Sequence, residues 1–180
     1  MILAIINNKG GTGKTTSAVN LAAALAMKGR RTLLIDLDSQ ASASLSLGVD
    51  RADFKPSIAD AILEGRGMSG IIRKTAAEGL DLITGSADLA DADIQLARIP
   101  GRERRLKEAI APVRASYDFI ILDCPPSLSM LSINAMVAAD TFIIPTPPEY
   151  LALEGLVGLW KRSRKSRKGS GINVVFSESF

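Results

Sequence analysis

At 180 residues the chain suits one α/β domain, and a hydrophobic fraction of 47% with only 4% aromatics implies a core of Ala, Leu, Ile and Val. The absence of histidine removes the usual general base and the commonest transition-metal ligand, which disfavours zinc and Ser-His-Asp chemistry. A single cysteine, Cys124, excludes an internal disulfide and fits a reducing cytoplasm. No apolar run reaches membrane-spanning length, and no basic region precedes the N-terminal apolar stretch, so neither a membrane span nor a signal peptide is expected. The net charge of +3 is local: residues 161–180 carry six bases against Glu178 alone, and the rest of the chain is slightly acidic.

Met1–Ile6 is an apolar run that reads as a buried strand, and Ser17–Met27 reads as a helix. Between them lies Asn7-Asn8-Lys9-Gly10-Gly11-Thr12-Gly13-Lys14-Thr15-Thr16. Strand, glycine loop and helix start together form a phosphate cradle. Glycines let the backbone N–H groups turn inward, and the helix N-terminus adds partial positive charge. In that setting Lys14 reaches the β/γ-phosphates and the Thr15 hydroxyl holds Mg²⁺. The general pattern G-x-x-x-x-G-K-[ST] wants glycine at Asn8; here a second lysine, Lys9, opens the loop instead.

Lys28-Gly29-Arg30 closes the first helix, and Arg31–Asp38 reads as an apolar strand ending in two carboxylates, Asp36 and Asp38. In an open parallel sheet ligands gather at the carboxyl ends of strands, which favours a functional reading of both acids. Residues 39–56 read as loop and short helix, and 57–64 as a helix capped by Ser57. A short strand is expected over 79–86 and a helix over 87–98, with Asp88, Asp91, Asp93 and Arg98 on a solvated face. Another helix is expected over 102–115, ended or distorted by Pro112. Tyr117–Asp123 is a further apolar strand closing in a carboxylate, the usual arrangement for holding the water shell of Mg²⁺. A helix over 129–139, a strand over 141–145, a helix over 151–160 and a last strand over 172–176 complete the pattern. The expected architecture is α/β, a mostly parallel twisted sheet with helices on both faces, organised as one domain over 1–160 followed by a basic segment over 161–180.

Three motifs, K-G-G-T-G-K-T-T at 9–16, L-L-I-D-L-D-S-Q at 33–40 and F-I-I-L-D-C-P-P-S at 119–127, join A-A-D-T-F-I-I-P-T-P-P-E-Y-L-A-L-E-G-L at 138–156. Together they resemble the ParA/MinD family of P-loop ATPases with the deviant Walker A loop, and most of all its ParA (Soj-like) partition branch. The resemblance implies a P-loop NTPase fold that binds ATP through Lys9–Thr16 with Mg²⁺ as cofactor. It further implies a homodimer that sandwiches ATP and is switched by hydrolysis. By position, Lys9 corresponds to the lysine that reaches the partner protomer's phosphates, and Lys14 and Thr15 to the phosphate and Mg²⁺ contacts made in cis. Asp38 corresponds to the acid that orients the attacking water, and Asp36 and Asp123 to the acids around the metal. The family usually reads D-P-Q-G-N where this chain has Asp38-Ser39-Gln40-Ala41-Ser42, so the contacts of that Gly and Asn do not carry over. Relatives also continue beyond this chain's end, making it C-terminally shortened.

The function this implies is DNA partitioning or cargo positioning: an ATP-dependent dimer binds duplex DNA without sequence preference until a ParB-like partner stimulates hydrolysis. Lys161, Arg162, Arg164, Lys165, Arg167 and Lys168 are the candidate DNA contacts, and a solvated tail is the alternative for that run. A MinD-like membrane cycle is a second reading, but residues 161–168 offer no apolar face to insert. An iron–sulfur electron-transfer ATPase would need two cysteines per chain. A hydrolysis-deficient regulator that dimerises with a complete relative is the remaining reading.

Overall fold

The computed structural model describes residues 1–146. Six strands form one sheet in the order β3-β4-β2-β5-β1-β6. In chain order they are β1 (Ile2–Ile5), β2 (Thr32–Asp36), β3 (Arg73–Lys74), β4 (Leu80–Ile83), β5 (Phe119–Asp123) and β6 (Thr141–Ile143). All neighbours run parallel except β3, which pairs antiparallel with β4 at one edge. That two-residue basic strand, with no apolar alternation, was not among the strands expected from the sequence.

The strands are near-continuous apolar runs because helices cover both faces. Leu3, Ile5, Leu34, Leu80, Leu82 and Ile121 point to one side, where α1 (Lys14–Met27) and α2 (Ser42–Ser46) lie. Helix α1 approaches closely because its buried stripe is alanine at helical spacing, Ala18, Ala22 and Ala26. Ala4, Leu33, Ile35, Ile120 and Leu122 point to the other side, which is packed by α3 (Ile58–Glu64), α4 (Ala92–Leu96), α5 (Arg105–Ile110) and α6 (Met130–Ala138). Burying each Leu or Ile contributes about 1.5–3 kcal/mol, so this two-sided core is the main source of stability.

Caps explain where the short helices begin. Ser57 accepts from the Ala59 N–H while Asp60 accepts from the Ser57 N–H, a reciprocal cap that starts α3, and Gly65 in the left-handed region ends it. The expected helix over 102–115 is a single turn of 3₁₀ helix at Arg102–Arg104, then α5, which stops before Pro112. Buried Asn134 accepts from the Leu106 N–H and donates to the Arg102 carbonyl, binding α5 to α6. Asp93, expected on a solvated face, accepts a 2.6 Å hydrogen bond from the Met130 N–H and so caps α6 across 37 residues of chain. The expected helix at 151–160 and strand at 172–176 lie outside the described residues. Among the described residues no helix is long and apolar enough to cross a membrane.

Candidate active site

The sheet order gives the site its place. β1 lies between β5 and β6, so the chain leaves β1, crosses over β5 through α1, and returns as β2 on the far side. The carboxyl ends of β1, β2 and β5 therefore sit side by side, with Ile5 opposite Asp123 and Asp123 opposite Asp36. Such a crevice at the strand ends is where open parallel sheets bind ligands.

The loop from Asn7 to Gly13 covers this crevice. Gly11 and Gly13 have φ of +71° and +80°, a region that side chains strain to enter, so the loop needs glycine at these two positions. Gly13 is the N-cap of α1, and no side chain caps the helix and no acid sits in its first turn. The first-turn N–H groups and the helix dipole are thereby left for an anion. Helix α1 begins at Lys14, three residues earlier than the apolar pattern suggests, because the loop itself supplies the first turn. Asn7 anchors the loop's start: its Nδ2 donates to the Pro145 carbonyl at 2.7 Å and its Oδ1 accepts from the Lys9 N–H at 3.0 Å.

Lys14 is 7% exposed, and its Nζ donates to the Lys9 carbonyl at 3.1 Å. Burial lowers its pKa, while Asp123 and Asp38 pull it upward. Lys9, by contrast, is exposed at the mouth of the loop. Both lysines thus belong to one loop, one turned inward and one outward.

Two buried acids stand behind them. Asp36 is 0% exposed and spends both oxygens on the protein: Oδ1 accepts from the Asp38 N–H at 3.1 Å, and Oδ2 accepts from the Ser44 N–H at 2.9 Å and the Ser44 hydroxyl at 2.8 Å. Burial raises its pKa in spite of those donors. Asp123 is 1% exposed, and neither oxygen has a hydrogen-bond partner among the described residues. Burial pushes its pKa up to about 7, with the Asp36 and Asp38 carboxylates adding to the rise. The Thr15 hydroxyl and Lys14 pull it down. Asp38 lies past the end of β2, and its Oδ1 accepts from the Gln40 N–H at 2.9 Å.

The donors here are hard oxygens. Among the described residues, no cluster of three or more His, Cys, Asp or Glu side chains is placed to hold a metal unaided. An orphaned buried carboxylate beside a threonine hydroxyl fits Mg²⁺, which takes one or two protein oxygens and completes its shell with phosphate and water. The structure brings Lys14, Thr15, Asp36, Asp38 and Asp123 together at one set of strand ends. Lys161, Arg162, Arg164, Lys165, Arg167 and Lys168 lie outside the described residues. Ser44 and Gly85 were missed from the sequence. Ser44 is one serine among several in a Ser/Ala stretch, and Gly85 reads as an ordinary turn.

A β-strand, a glycine loop opening a helix, and carboxylates ending the two neighbouring strands define a P-loop nucleotide-binding protein. A family model described as an AAA domain matches residues 1–174. The sporulation initiation inhibitor protein Soj of Bacillus subtilis is 46% identical over 167 residues, 93% of this chain and 66% of that protein. The chromosome-partitioning ATPase Soj of Treponema pallidum is 41% identical over 175 residues, 97% of this chain and 67% of its own length. Among solved structures, cobyrinic acid a,c-diamide synthase from Mycobacterium smegmatis with bound ADP and magnesium has a TM-score of 0.89 at 34% identity. That match covers 96% of this chain and 71% of the other. The chain belongs to the ParA/MinD family of P-loop ATPases. It spans about two thirds of the length of the two Soj relatives.

Proposed function

We propose that this chain is a partition-type ATPase whose site is completed by a second copy of itself. The observation that carries the reading is Asp123: a buried carboxylate with no hydrogen-bond partner among the described residues, beside Lys14 and Thr15 under a glycine loop. Such a group is costly to keep unless a ligand satisfies it. In this reading Thr15 and Asp123 would hold Mg²⁺, with Asp36, its oxygens taken up by Asp38 and Ser44, standing behind them; when bound, the ion would neutralise charge on the β/γ oxygens. The N–H groups of Gly10–Gly13 and the first turn of α1, through Thr15 and Thr16, cradle the phosphates. Lys14 exchanges the Lys9 carbonyl for a phosphate oxygen, a stronger, charge-assisted bond. Lys9 extends to the phosphates of the facing protomer, neutralising charge as it develops there. Asp38 orients the attacking water, for no histidine exists to do so.

Because ATP lies between protomers, dimerisation depends on the γ-phosphate and hydrolysis reverses it. The dimer binds duplex DNA without sequence preference in the cytoplasm, at the nucleoid, and residues 161–168 supply phosphate contacts with the salt dependence of such binding. Turnover is slow until a ParB-like protein stimulates it. The Soj relatives, both more than 40% identical, support partition over other chemistries of the fold.

Light scattering with ADP or ATP tests the reading. An ATP-dependent dimer is expected, trapped by Asp38→Ala and prevented by Lys9→Ala or Lys14→Ala. A monomer in every nucleotide state would overturn the shared site. Duplex DNA that binds equally well without ATP would overturn the switch.

A further inference from the structure

We infer that Ser44 is a positioning residue for hydrolysis: it fixes the loop that carries Asp38 by clamping Asp36, without touching nucleotide. The inference rests on the role proposed for Asp38 above. Ser44 is 0% exposed on α2, and its N–H and hydroxyl both donate to Oδ2 of Asp36, at 2.9 Å and 2.8 Å. The opposite oxygen of Asp36 receives the Asp38 N–H at 3.1 Å. One carboxylate therefore ties the helix after the loop to the backbone at the loop's start. The Ser44 hydroxyl also accepts from the Gly85 N–H at 3.1 Å, which brings in the end of β4.

Gly85 shows how tightly this junction closes. A Cβ at that position would lie 2.5 Å from the Asp38 carbonyl oxygen and 3.2 Å from both the carbonyl oxygen and Cγ of Asp36. Backbone presses on backbone there, so the Asp38 loop is held between β4 on one side and the Asp36–Ser44 clamp on the other. Asp38 itself accepts from the Gln40 N–H, folding its side chain over the same loop. A water-orienting carboxylate acts only at the right distance, and a displacement of about 1 Å costs on the order of 10²-fold in rate. Among the described residues the Ser44 hydroxyl is the one side-chain group hydrogen-bonded to both Asp36 and Gly85, and it stands one carboxylate away from the group that does the work.

The test is Ser44→Ala and Ser44→Thr, alone and with Asp38→Ala, in ATP turnover and in binding of a fluorescent ATP analogue. Expected for Ser44→Ala is a kcat lowered about 10- to 100-fold with analogue affinity within about twofold of wild type. Ser44→Thr, which keeps the hydroxyl, is expected to recover most of the rate. In the Asp38→Ala background, Ser44→Ala is expected to change residual turnover by less than about twofold, because both changes remove the same contribution. A kcat within twofold of wild type, a loss that adds to that of Asp38→Ala, or a loss confined to nucleotide affinity would each overturn the inference. Wild type without turnover overturns the hydrolytic reading as well. Turnover in wild type beside an unaffected Ser44→Ala overturns only the role of Ser44.

Discussion

Two carboxylates stand side by side at the ends of β2 and β5, in register across a parallel pair and both out of contact with water. Among the described residues Asp36 has three donors and Asp123 has none. Their sequence settings are nearly the same, an apolar strand closing in aspartate, and their burial is the same. The difference lies in the segment that leaves each strand. After β2 the chain turns into α2 and returns Ser44 to the carboxylate; after β5 it runs into Cys124-Pro125-Pro126, where the prolines have no N–H to offer. One acid is used to hold a loop in place. The other is left without a donor among the described residues, which keeps it open to a ligand.

The largest expected effect breaks that contrast on the Asp123 side. Asp123→Asn should lower Mg²⁺-dependent ATP turnover at least about 10²-fold, the scale of removing one preorganised charge contact. It should also stabilise the nucleotide-free protein at neutral pH. With a native pKa of about 7 and an ordinary unfolded value, the wild-type group is protonated in both states below about pH 4. As pH rises toward 7 the unfolded chain gives up the proton and the native state does not, so stability falls through that window and levels off above it. The loss is on the order of 4 kcal/mol at most. Melting curves from pH 4 to 8 should therefore show a decline in wild type that is absent from Asp123→Asn. Parallel curves would mean that Asp123 has a partner in the native state.

Asp36→Asn should do the reverse. An amide presents one acceptor where three donors converge, so a buried donor is left unpaired, at a cost of about 1–3 kcal/mol or more. Denaturant unfolding at pH 7 should show this loss at unchanged slope. If Asp36→Asn is as stable as wild type while Asp123→Asn is not, the roles assigned to the two acids are exchanged.

Gly85→Ala comes next, because it pushes on the clamp from outside. The added methyl meets the Asp38 carbonyl at 2.5 Å, and neither backbone can yield without moving the loop. Overpacking of this kind costs about 1–3 kcal/mol. Unfolding should report that loss, and hydrogen exchange should report faster opening of the amides of residues 38–41.

These contacts also mark what the sequence could and could not tell. The glycine loop, the two acid-ended strands and the cap at Ser57 are signals carried by neighbours in the chain, and the structure has them where the pattern put them. The Ser44–Gly85 bond spans 41 residues, the Asp93 cap 37, and the β3–β4 pairing places two basic residues on an edge. Each depends on which segments the fold brings together, and no local periodicity encodes that. Even between the two strand-end acids, the residue that distinguishes them lies eight positions downstream.

The smallest effect lies in the same loop. Ala41 has φ of +53°, the only positive φ outside glycine among the described residues, and it stands where the family pattern usually has glycine. It is the N-cap of α2, so its left-handed turn is what brings Ser44 back to Asp36. An alanine in that region pays about 1–2 kcal/mol relative to right-handed backbone. Ala41→Gly relieves this strain, but it frees the unfolded chain by about 0.5–1 kcal/mol and empties the space of a fully buried methyl. The three terms nearly cancel, the methyl being worth about 0.8 kcal/mol, so stability should stay within about 0.5 kcal/mol of wild type with turnover unchanged, read as a Tm shift of a few degrees at most. A loss of more than about 1 kcal/mol would show that the methyl's packing outweighs the strain of its backbone. Alanine would then be at position 41 to fill the core beneath the clamp, and the turn would be held by Asp36 and Ser44 at alanine's expense.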